Sequence, residues 1–338
     1  MVWTRTHTIV AAAASVVAIG GGIGLATVVG AGPPAPQPVS SATSGASPSR
    51  AAEPTPDPQT TQTVDPLTGG PVSDSEVIAV KVENIAAARP QVGLNAADII
   101  FATEVEGAQT RLIAIYHTSF PTRLGPVRSA RSTDVQLLPM FGKPGLVYSG
   151  ANSRVQRKID RASIVPIYRE TRDRRRVAPH NVFVNLSAIA RSERAGRAEP
   201  IGWTFAARDD RVDKAKEAHS VKSRVGNDRF GFAYAGGTYT VRWNGRTYAD
   251  GDTGKTLRVD NVVVLSVHNH PDGNTDVLGS ASVQSDTVGR GEVALYRDGR
   301  KLTGTWSRES ETGPMTFTTG SDEPLNLKPG STWVSLQG

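Results

Sequence analysis

An uncharged apolar run near the N-terminus, from Thr8 to Ala31, sets the strongest limit on what this chain can fold into. It spans about 24 residues, which is longer than the core of a signal peptide and enough to cross a bilayer. Arg5 is the only firm positive charge before the run, so the rest of the chain is predicted to lie outside the cytoplasm. Two fates stay open, because residues 29–31 are small enough for signal peptidase: a cleaved signal peptide, or the retained transmembrane anchor that we favour.

The next segment, residues 32–65, is rich in Pro, Ala, Ser and Thr and has few large apolar side chains. Such a segment cannot bury enough apolar surface to offset the entropy lost on ordering, so it is predicted to be a disordered linker. The folded part is therefore predicted to run from residue 66 to residue 338. The absence of cysteine excludes disulfides, thiolate nucleophiles, cysteine-based zinc sites and lipid attachment at a cysteine.

The chain is basic, with 38 Lys and Arg against 32 Asp and Glu. Net positive charge favours anionic partners such as phosphate-bearing wall polymers, lipid headgroups or nucleic acid. Charges of both signs are mixed along the folded part, however, so we favour an arginine-rich coding bias as the main cause of the excess. The densest basic run, residues 169–176, has no interleaved aromatic residues, and we predict no nucleic-acid binding.

Apolar periodicity divides the folded part into two regions with different predicted secondary structure. Residues 66–205 alternate predicted strands with predicted helices, which indicates an α/β-type domain. Its strands are predicted at 76–82, 98–105, 111–116 and 145–148, and its helices at 132–141, 153–161 and 185–194.

Residues 206–338 instead carry short strands separated by Gly-containing turns, which indicates a mostly antiparallel β module. The fold class is therefore predicted to be α+β. Trp243, Trp306 and Trp333 are predicted to pack in the core of this module, the alternative being an exposed platform for glycan stacking. The strands are predicted at 230–234, 238–243, 259–265, 292–296, 303–306 and 332–336.

A series of ordered motifs resembles a known family. They are DPLTG at 65–69, VEN at 82–84, ARPQVGL at 88–94, ADII at 97–100, EVEG at 104–107, GPVRSAR at 125–131, and PHN at 179–181. Together they make the chain similar to the YerB-like family of bacterial surface lipoproteins, a two-part domain of unknown function. The resemblance implies an envelope location and a shared polar site, but no established reaction. This chain departs from the family in lacking a lipobox cysteine and in having Glu83 where Asp is frequent.

The resemblance and the residue types together predict a polar site. Two carboxylates, Glu104 and Glu106, are two residues apart at a strand end, so they point to the same side if the strand continues. Arg111 opens the next strand. The loop entering the helix at 132 supplies backbone donors and guanidinium groups for an anion. The predicted ligand-binding residues are Asn84, Arg89, Arg111, Arg128, Ser129, Arg131, Arg172, Asp173 and Asn181, with Glu104, Glu106 and His180 as predicted acid and base.

Three functions remain open at this stage. The first is a membrane-tethered binding module for an anionic wall polymer, a wall precursor or a wall-assembly protein. The second is a hydrolase or transferase on a wall or lipid-linked substrate that uses Glu104, Glu106 and His180. The third is a purely structural ion-pair network. We prefer the first, because the chain contains no G-x-S-x-G, H-E-x-x-H or S-x-x-K motif.

Two further motifs are set aside. Residues 249–256 match a relaxed nucleotide-binding loop, but a polar segment precedes them and a strand is predicted to follow. His268 and His270 fall on one side of an extended segment, yet the sequence shows no obvious third ligand. We therefore predict no cofactor and no metal.

Overall fold

The computed structural model describes residues 64–275 and 279–338, and strands predominate over helices in it. The predicted anchor at 1–31 and nearly all of the predicted linker at 32–65 lie outside these residues. No helix within the described ranges is long and apolar enough to cross a membrane. The strands are β1 Ile78–Glu83, β2 Ile99–Glu104, β3 Thr110–Tyr116, β4 Gly145–Val147, β5 Val165–Ile167, β6 Thr171–Arg172, β7 Val182–Phe183, β8 Lys216–Glu217, β9 Ser220–Val225, β10 Asp228–Ala235, β11 Thr238–Trp243, β12 Arg246–Thr247, β13 Arg258–Val259, β14 Asn261–Ser266, β15 Asn269–Thr275, β16 Ala281–Ser285, β17 Gly289–Arg297, β18 Arg300–Arg308, β19 Thr316–Thr318 and β20 Thr332–Gln337.

The helices are short. They are α1 Ser132–Leu137, α2 Ser153–Ile159, α3 Leu186–Ser192 and α4 Asp210–Lys214. The predicted helix at 132–141 is α1 followed by a 3₁₀ turn at Leu138–Phe141, since Pro139 cannot supply the backbone donor that would continue an α-helix. Asn185 caps α3, because its side-chain oxygen accepts a hydrogen bond from the Ala188 N–H.

One large sheet contains strands from both regions of the folded part, residues 66–205 and residues 206–338. Its order is β19-β18-β17-β14-β20-β2-β3-β1-β4-β5, with β8 paired to β18. Strand β20 lies between β14 and β2 and runs parallel to both. All other pairings within residues 206–338 are antiparallel, so β20 is the exception to the predicted antiparallel module. The resulting fold is α+β and rich in strands.

The predicted α/β type of the first half is only partly right. Strands β1, β2 and β3 pair antiparallel, and parallel pairing is confined to β1-β4-β5. Every residue of β1 and β3 is buried, because both faces of the sheet are covered. Helices α1 and α2 pack on one face, and a second sheet, β12-β11-β10-β9 with β13, packs on the other.

Aromatic residues join the second sheet to the large one. Trp333 of β20 is fully buried, and its ring lies 5.0 Å from Phe230 and 5.8 Å from Phe232 between ring centroids. Trp306 and Trp243 are also buried. The prediction that the three tryptophans pack in the core is therefore confirmed.

The first described residues lie at the end of the predicted linker. Asp65 is fully buried, and its carboxylate lies 2.9 Å from His117 Nε2. One of its oxygens also accepts hydrogen bonds from the N–H groups of Leu67 and Thr68, each at 3.0 Å. The motif at 65–69 therefore serves to fasten the start of the folded part to the end of β3.

Candidate functional site

Most of the predicted site residues lie where β1 ends. The loop after Gly125 lies beside β1, since Arg128 N donates to Lys81 O at 2.8 Å and Glu83 N donates to Pro126 O at 2.9 Å. The start of β7 lies beside the same loop, with Val127 N donating to Val182 O at 2.7 Å. Three segments distant in sequence thus bring their side chains to one end of the sheet, where these form an open cleft and a buried charge network.

The cleft has a volume of about 560 Å³. Its lining contains three basic side chains and no acidic one. The lining residues are Ala87, Arg89, Pro90, Arg176, Val177, Ala178 and His180. A concave surface that is lined by basic side chains and by no carboxylate attracts anions.

Arg89 is held rigidly in this wall. Its guanidinium carbon lies 3.7 Å from the ring centroid of Trp243 and 4.3 Å from that of Tyr248. Its Nη2 donates to Asn84 Oδ1 at 2.7 Å, whereas its buried Nε has no hydrogen-bond partner within the described structure. Burial lowers the pKa of Arg89, yet guanidinium stays charged in proteins. The group is therefore a fixed cation whose buried Nε–H is unused within the described structure.

Asn84 holds Arg89 in place through a hydrogen bond and does not line the cleft. It is fully buried, donates to Thr110 Oγ1 at 2.7 Å, and accepts from the Tyr248 hydroxyl at 2.8 Å. Burial raises the pKa of Tyr248 to about 12, so its hydroxyl stays protonated and can donate. Thr110 in turn donates to Asp228.

His180 forms part of a three-residue chain. Its Nδ1 lies 2.9 Å from Glu83 Oε2, and Arg128 Nε lies 2.9 Å from Glu83 Oε1. The Arg128 contact has the distance of an ion pair, although its Nε–H is not aimed along a hydrogen bond. No partner for His180 Nε2 is present among residues 64–275 and 279–338. The ring is thus oriented through one nitrogen and free at the other.

The hairpin β6–β7 supplies the opposite wall. Arg176 donates to the backbone oxygens of Ala88 at 3.1 Å and Pro90 at 2.6 Å, which are neutral, and it forms no ion pair within the described structure, although the charges of Asp173 and Asp252 are near. Asp173 N donates to Asn181 O at 2.8 Å and closes the hairpin loop.

The other predicted residues of this hairpin have supporting roles or none. Hydrogen bonds from Arg175 hold the pKa of Asp173 below its usual range, so the Asp173 carboxylate stays ionised and fixes the loop. Asn181 is nearly buried, and its Oδ1 has no partner within the described structure. Arg172 is exposed, pairs with Glu170 at 2.9 Å and does not line the cleft.

The second group is a buried charge network of Lys81, Glu106, Arg111, Arg131 and Asp134. Lys81 Nζ lies 2.6 Å from Asp134 Oδ1, and both side chains are fully buried. Glu106 contacts Arg131 and lies 3.6 Å from Arg111. Burial, with repulsion from Arg131, lowers the pKa of Arg111 to about 10. The two carboxylates offset two of the three positive charges, and the contacts are positioned to hold the loop at 128–134 on the strand ends.

Ser129 and Glu104 differ from their predicted roles. Ser129 contributes its backbone oxygen, which accepts from Arg111 Nη1 at 3.0 Å. Glu104 does not share a side with Glu106, because the chain leaves the strand at Val105 and enters a 3₁₀ turn, where the two-residue alternation no longer holds. Glu104 instead accepts from Asn269 Nδ2 at 2.9 Å.

The predicted acid–base trio is therefore not assembled as such. His180 pairs with Glu83, Glu106 is held by two arginines, and Glu104 lies against Asn269. In the sequence, Glu83 stood out only as a departure from a motif, and Arg176 only as part of the basic run at 169–176. Lys81 was missed as well, although a single lysine in an otherwise apolar strand is a signal for a buried ion pair.

Comparisons with known proteins agree with the motif resemblance. Residues 67–199 match the N-terminal domain, and residues 219–334 the C-terminal domain, of the protein family of unknown function DUF3048. The chain is 25% identical over 298 residues to a Bacillus subtilis (strain 168) protein named "Putative lipoprotein YerB", covering 80% of this chain and 85% of that one. The chain belongs to the YerB-like DUF3048 family.

The crystal structure of YerB from Bacillus subtilis has the same fold, with a TM-score of 0.69 and 22% identity over 81% of this chain and 96% of that one. In terms of the DUF3048 domains, all residues lining the cleft come from the N-terminal domain. Trp243 and Tyr248, which hold Arg89, come from the C-terminal domain. The orientation of Arg89 therefore depends on the packing of one domain against the other.

Proposed function

We propose that this protein is an extracytoplasmic, membrane-tethered envelope protein whose cleft binds an anionic ligand related to the cell wall, without turning it over. The location rests on the apolar run at 8–31, which lies outside the described residues, and on the lipoprotein name of the Bacillus relative. Because this chain has no cysteine, the run itself is the candidate for the tether.

The observation that carries the binding proposal is the composition of the cleft: Arg89, Arg176 and His180 face it, and no acidic residue lines it. Guanidinium groups bind phosphate and carboxylate through paired, charge-assisted hydrogen bonds. Arg89 and Arg176 are already held in place by neutral acceptors and aromatic rings. A ligand therefore meets pre-oriented donors, which lowers the entropic cost of binding.

The test is an anion titration of the full chain in detergent, with a glycerol-phosphate oligomer, pyrophosphate and a muropeptide as separate probes. Arg176→Gln is expected to weaken binding of the preferred probe by about tenfold or more, because one charge-assisted bond is lost. Arg174→Gln is the matched control, since it removes the same charge from the same loop but Arg174 is exposed and does not line the cleft. Equal weakening by both variants, or no binding of any probe to the wild type, contradicts the proposal.

A second candidate function is hydrolysis or group transfer on a wall or lipid-linked substrate, and the His180–Glu83 pair favours it. A carboxylate that orients one imidazole nitrogen and leaves the other open is the arrangement of a general base. Catalysis predicts product from the bound probe, at a rate that falls by about a hundredfold or more in His180→Gln. Binding without product, in the wild type and in His180→Gln alike, leaves only the first function.

A further inference from the structure

A cluster of metal-ligand side chains lies at the base of the β15–β16 hairpin, outside the cleft. His268 precedes β15, His270 belongs to it, and Asp286 follows β16 directly. The backbone places them together, because Asp286 N donates to His268 O at 2.9 Å beside the paired residues Asn269 and Ser285. The sequence alone showed the two histidines but no obvious third ligand. The pairing of β15 with β16 brings that third ligand, Asp286, from sixteen residues further along the chain than His270.

The three side chains converge on one point. His268 Nδ1 lies 3.1 Å from Asp286 Oδ2, and His270 Nε2 lies 3.1 Å from Asp286 Oδ1. All three ligand atoms lie within 4.8 Å of one another. Tetrahedral Zn²⁺ places its nitrogen and oxygen ligands about 3.3 Å apart, which follows from bond lengths of about 2.0 to 2.2 Å. Both carboxylate-to-imidazole separations are already close to that value.

The histidine rings are arranged as a ligand pair. They are stacked at 23° with centroids 5.5 Å apart, and each presents a nitrogen to the same carboxylate. The other nitrogen of His270, Nδ1, lies 3.1 Å from the Pro271 backbone oxygen. A backbone oxygen on the far nitrogen is the usual second contact of a metal-bound imidazole, since it fixes the ring and directs the lone pair of the near nitrogen at the metal.

The donor set also selects the class of ion. Two imidazoles and one carboxylate suit Zn²⁺ and neighbouring transition metals, whereas Mg²⁺ and Ca²⁺ prefer oxygen ligands alone. The His268 side chain is 76% exposed, so it can move the short distance needed to close the site, and solvent can reach the remaining coordination positions. We propose that His268, His270 and Asp286 bind a divalent transition-metal ion of the Zn²⁺ class with three protein ligands and an open position.

The metal clamps the base of a hairpin that is docked on the first domain. Ser285 N donates to Thr133 Oγ1 at 3.0 Å and Ser132 Oγ donates to Asp272 Oδ2 at 2.6 Å, so the hairpin is fastened to α1. Asn269, between the two histidines, binds Glu104 at the end of β2. Closing the site therefore stabilises the contact of this hairpin with both α1 and β2, and this inference does not rest on the binding of an anion in the cleft.

The experiment is a titration of the metal-free full chain in detergent with ZnCl₂, followed by calorimetry. One Zn²⁺ per chain is expected, with no heat from MgCl₂ or CaCl₂. His270→Ala and Asp286→Asn each remove a ligand and are expected to weaken Zn²⁺ binding by at least about a hundredfold, because even the loss of an outer contact weakens metal sites tenfold to a hundredfold. His219→Ala is the matched control, since His219 is an exposed histidine that packs on Tyr234 and lies outside the cluster.

Two further measurements keep the outcome clear. Thermal midpoints of the variants in excess chelator, equal to that of the wild type, show that lost binding is not lost folding. Co²⁺ in place of Zn²⁺ is expected to give an intense visible absorption from a tetrahedral site, which vanishes in Asp286→Asn. Absence of Zn²⁺ binding to the wild type, or binding that survives in both ligand variants, overturns the proposal.

Discussion

The pair formed by Lys81 and Asp134 gives the sharpest test of the energetics inside the charge network. Both side chains are fully buried and their charged atoms are 2.6 Å apart. Removing one partner of a buried pair generally costs about 3–5 kcal/mol, because the other charge is left without compensation. Burial is also the main reason that the pKa of Lys81 is lowered. The structure predicts that the two possible single changes differ in cost.

The difference follows from the neighbours. Lys81→Met leaves the Asp134 carboxylate with the Arg131 N–H at 2.7 Å and with the charges of Arg111 and Arg131 nearby, so the cost is expected near about 3 kcal/mol. Asp134→Asn leaves the Lys81 ammonium facing those same two guanidinium groups with Thr103 as its remaining acceptor at 3.3 Å. Its cost is expected near about 5 kcal/mol. The double variant removes both charges and is expected to recover most of the loss.

The assay is equilibrium urea unfolding of the wild type, both single variants and the double variant, followed by circular dichroism. The Asn side chain keeps an oxygen that can accept from Arg131 N, so the start of α1 is preserved and the coupling energy reports the charges. Two results refute the reasoning. Single variants that each cost less than about 1 kcal/mol would show a hydrated pair, and a larger loss in Lys81→Met than in Asp134→Asn would reverse the argued asymmetry.

Three other predictions follow from the described contacts. The bonds from Arg211 lower the pKa of Asp209 to about 2, so its contribution to stability is present above about pH 4 and is lost as pH falls through about 2. Between pH 5 and pH 2, the thermal midpoint of Asp209→Asn should therefore fall less than that of Asp210→Asn. Trp333→Ala should lower the free energy of unfolding by about 3–5 kcal/mol in the same urea assay, because its ring fills the space between the two sheets. A loss below about 1 kcal/mol would contradict that packing. Arg89→Lys should weaken anion binding by about tenfold in the cleft titration, since an ammonium group cannot both stack on the rings and donate two parallel hydrogen bonds. An unchanged affinity would show that Arg89 does not belong to the binding site.

Local patterns predicted the elements well where the signal itself was local. The buried strands β1, β2 and β3 follow from their β-branched runs. The helix predicted at 185–194 is confirmed as α3, whose cap Asn185 acts on a residue only three positions along the chain. The parallel placement of β20 was not predictable in this way, since its partners β2 and β14 are chosen by the packing of whole layers. The alternation rule failed at Val105 for a similar reason, since the turn that ends β2 packs against β16, which is distant in sequence.

In the candidate site, too, single residues could be predicted from the sequence whereas their distant partners could not. Motifs and residue types brought Arg89 and His180 to attention, and both line the cleft. They could not reveal that Glu83 is the partner of His180, or that Asp286 completes a cluster with His268 and His270. Such partners come from segments separated by many residues, and no spacing in the sequence records their approach. For the arginines, sequence shows the charge, whereas only structure shows which charges are already neutralised.

The position of β20 has a consequence for the order of biogenesis. A chain synthesised from its N-terminus presents β1, β2 and β3 long before residues 332–337 are available. Until then one edge of β2 exposes unpaired N–H and C=O groups, and the matching edge of β14 does the same. The first domain therefore cannot finish its sheet alone, and the emerging chain offers two open strand edges to other chains. Chaperones and proteases that recognise exposed strands can act on these two edges only until β20 inserts.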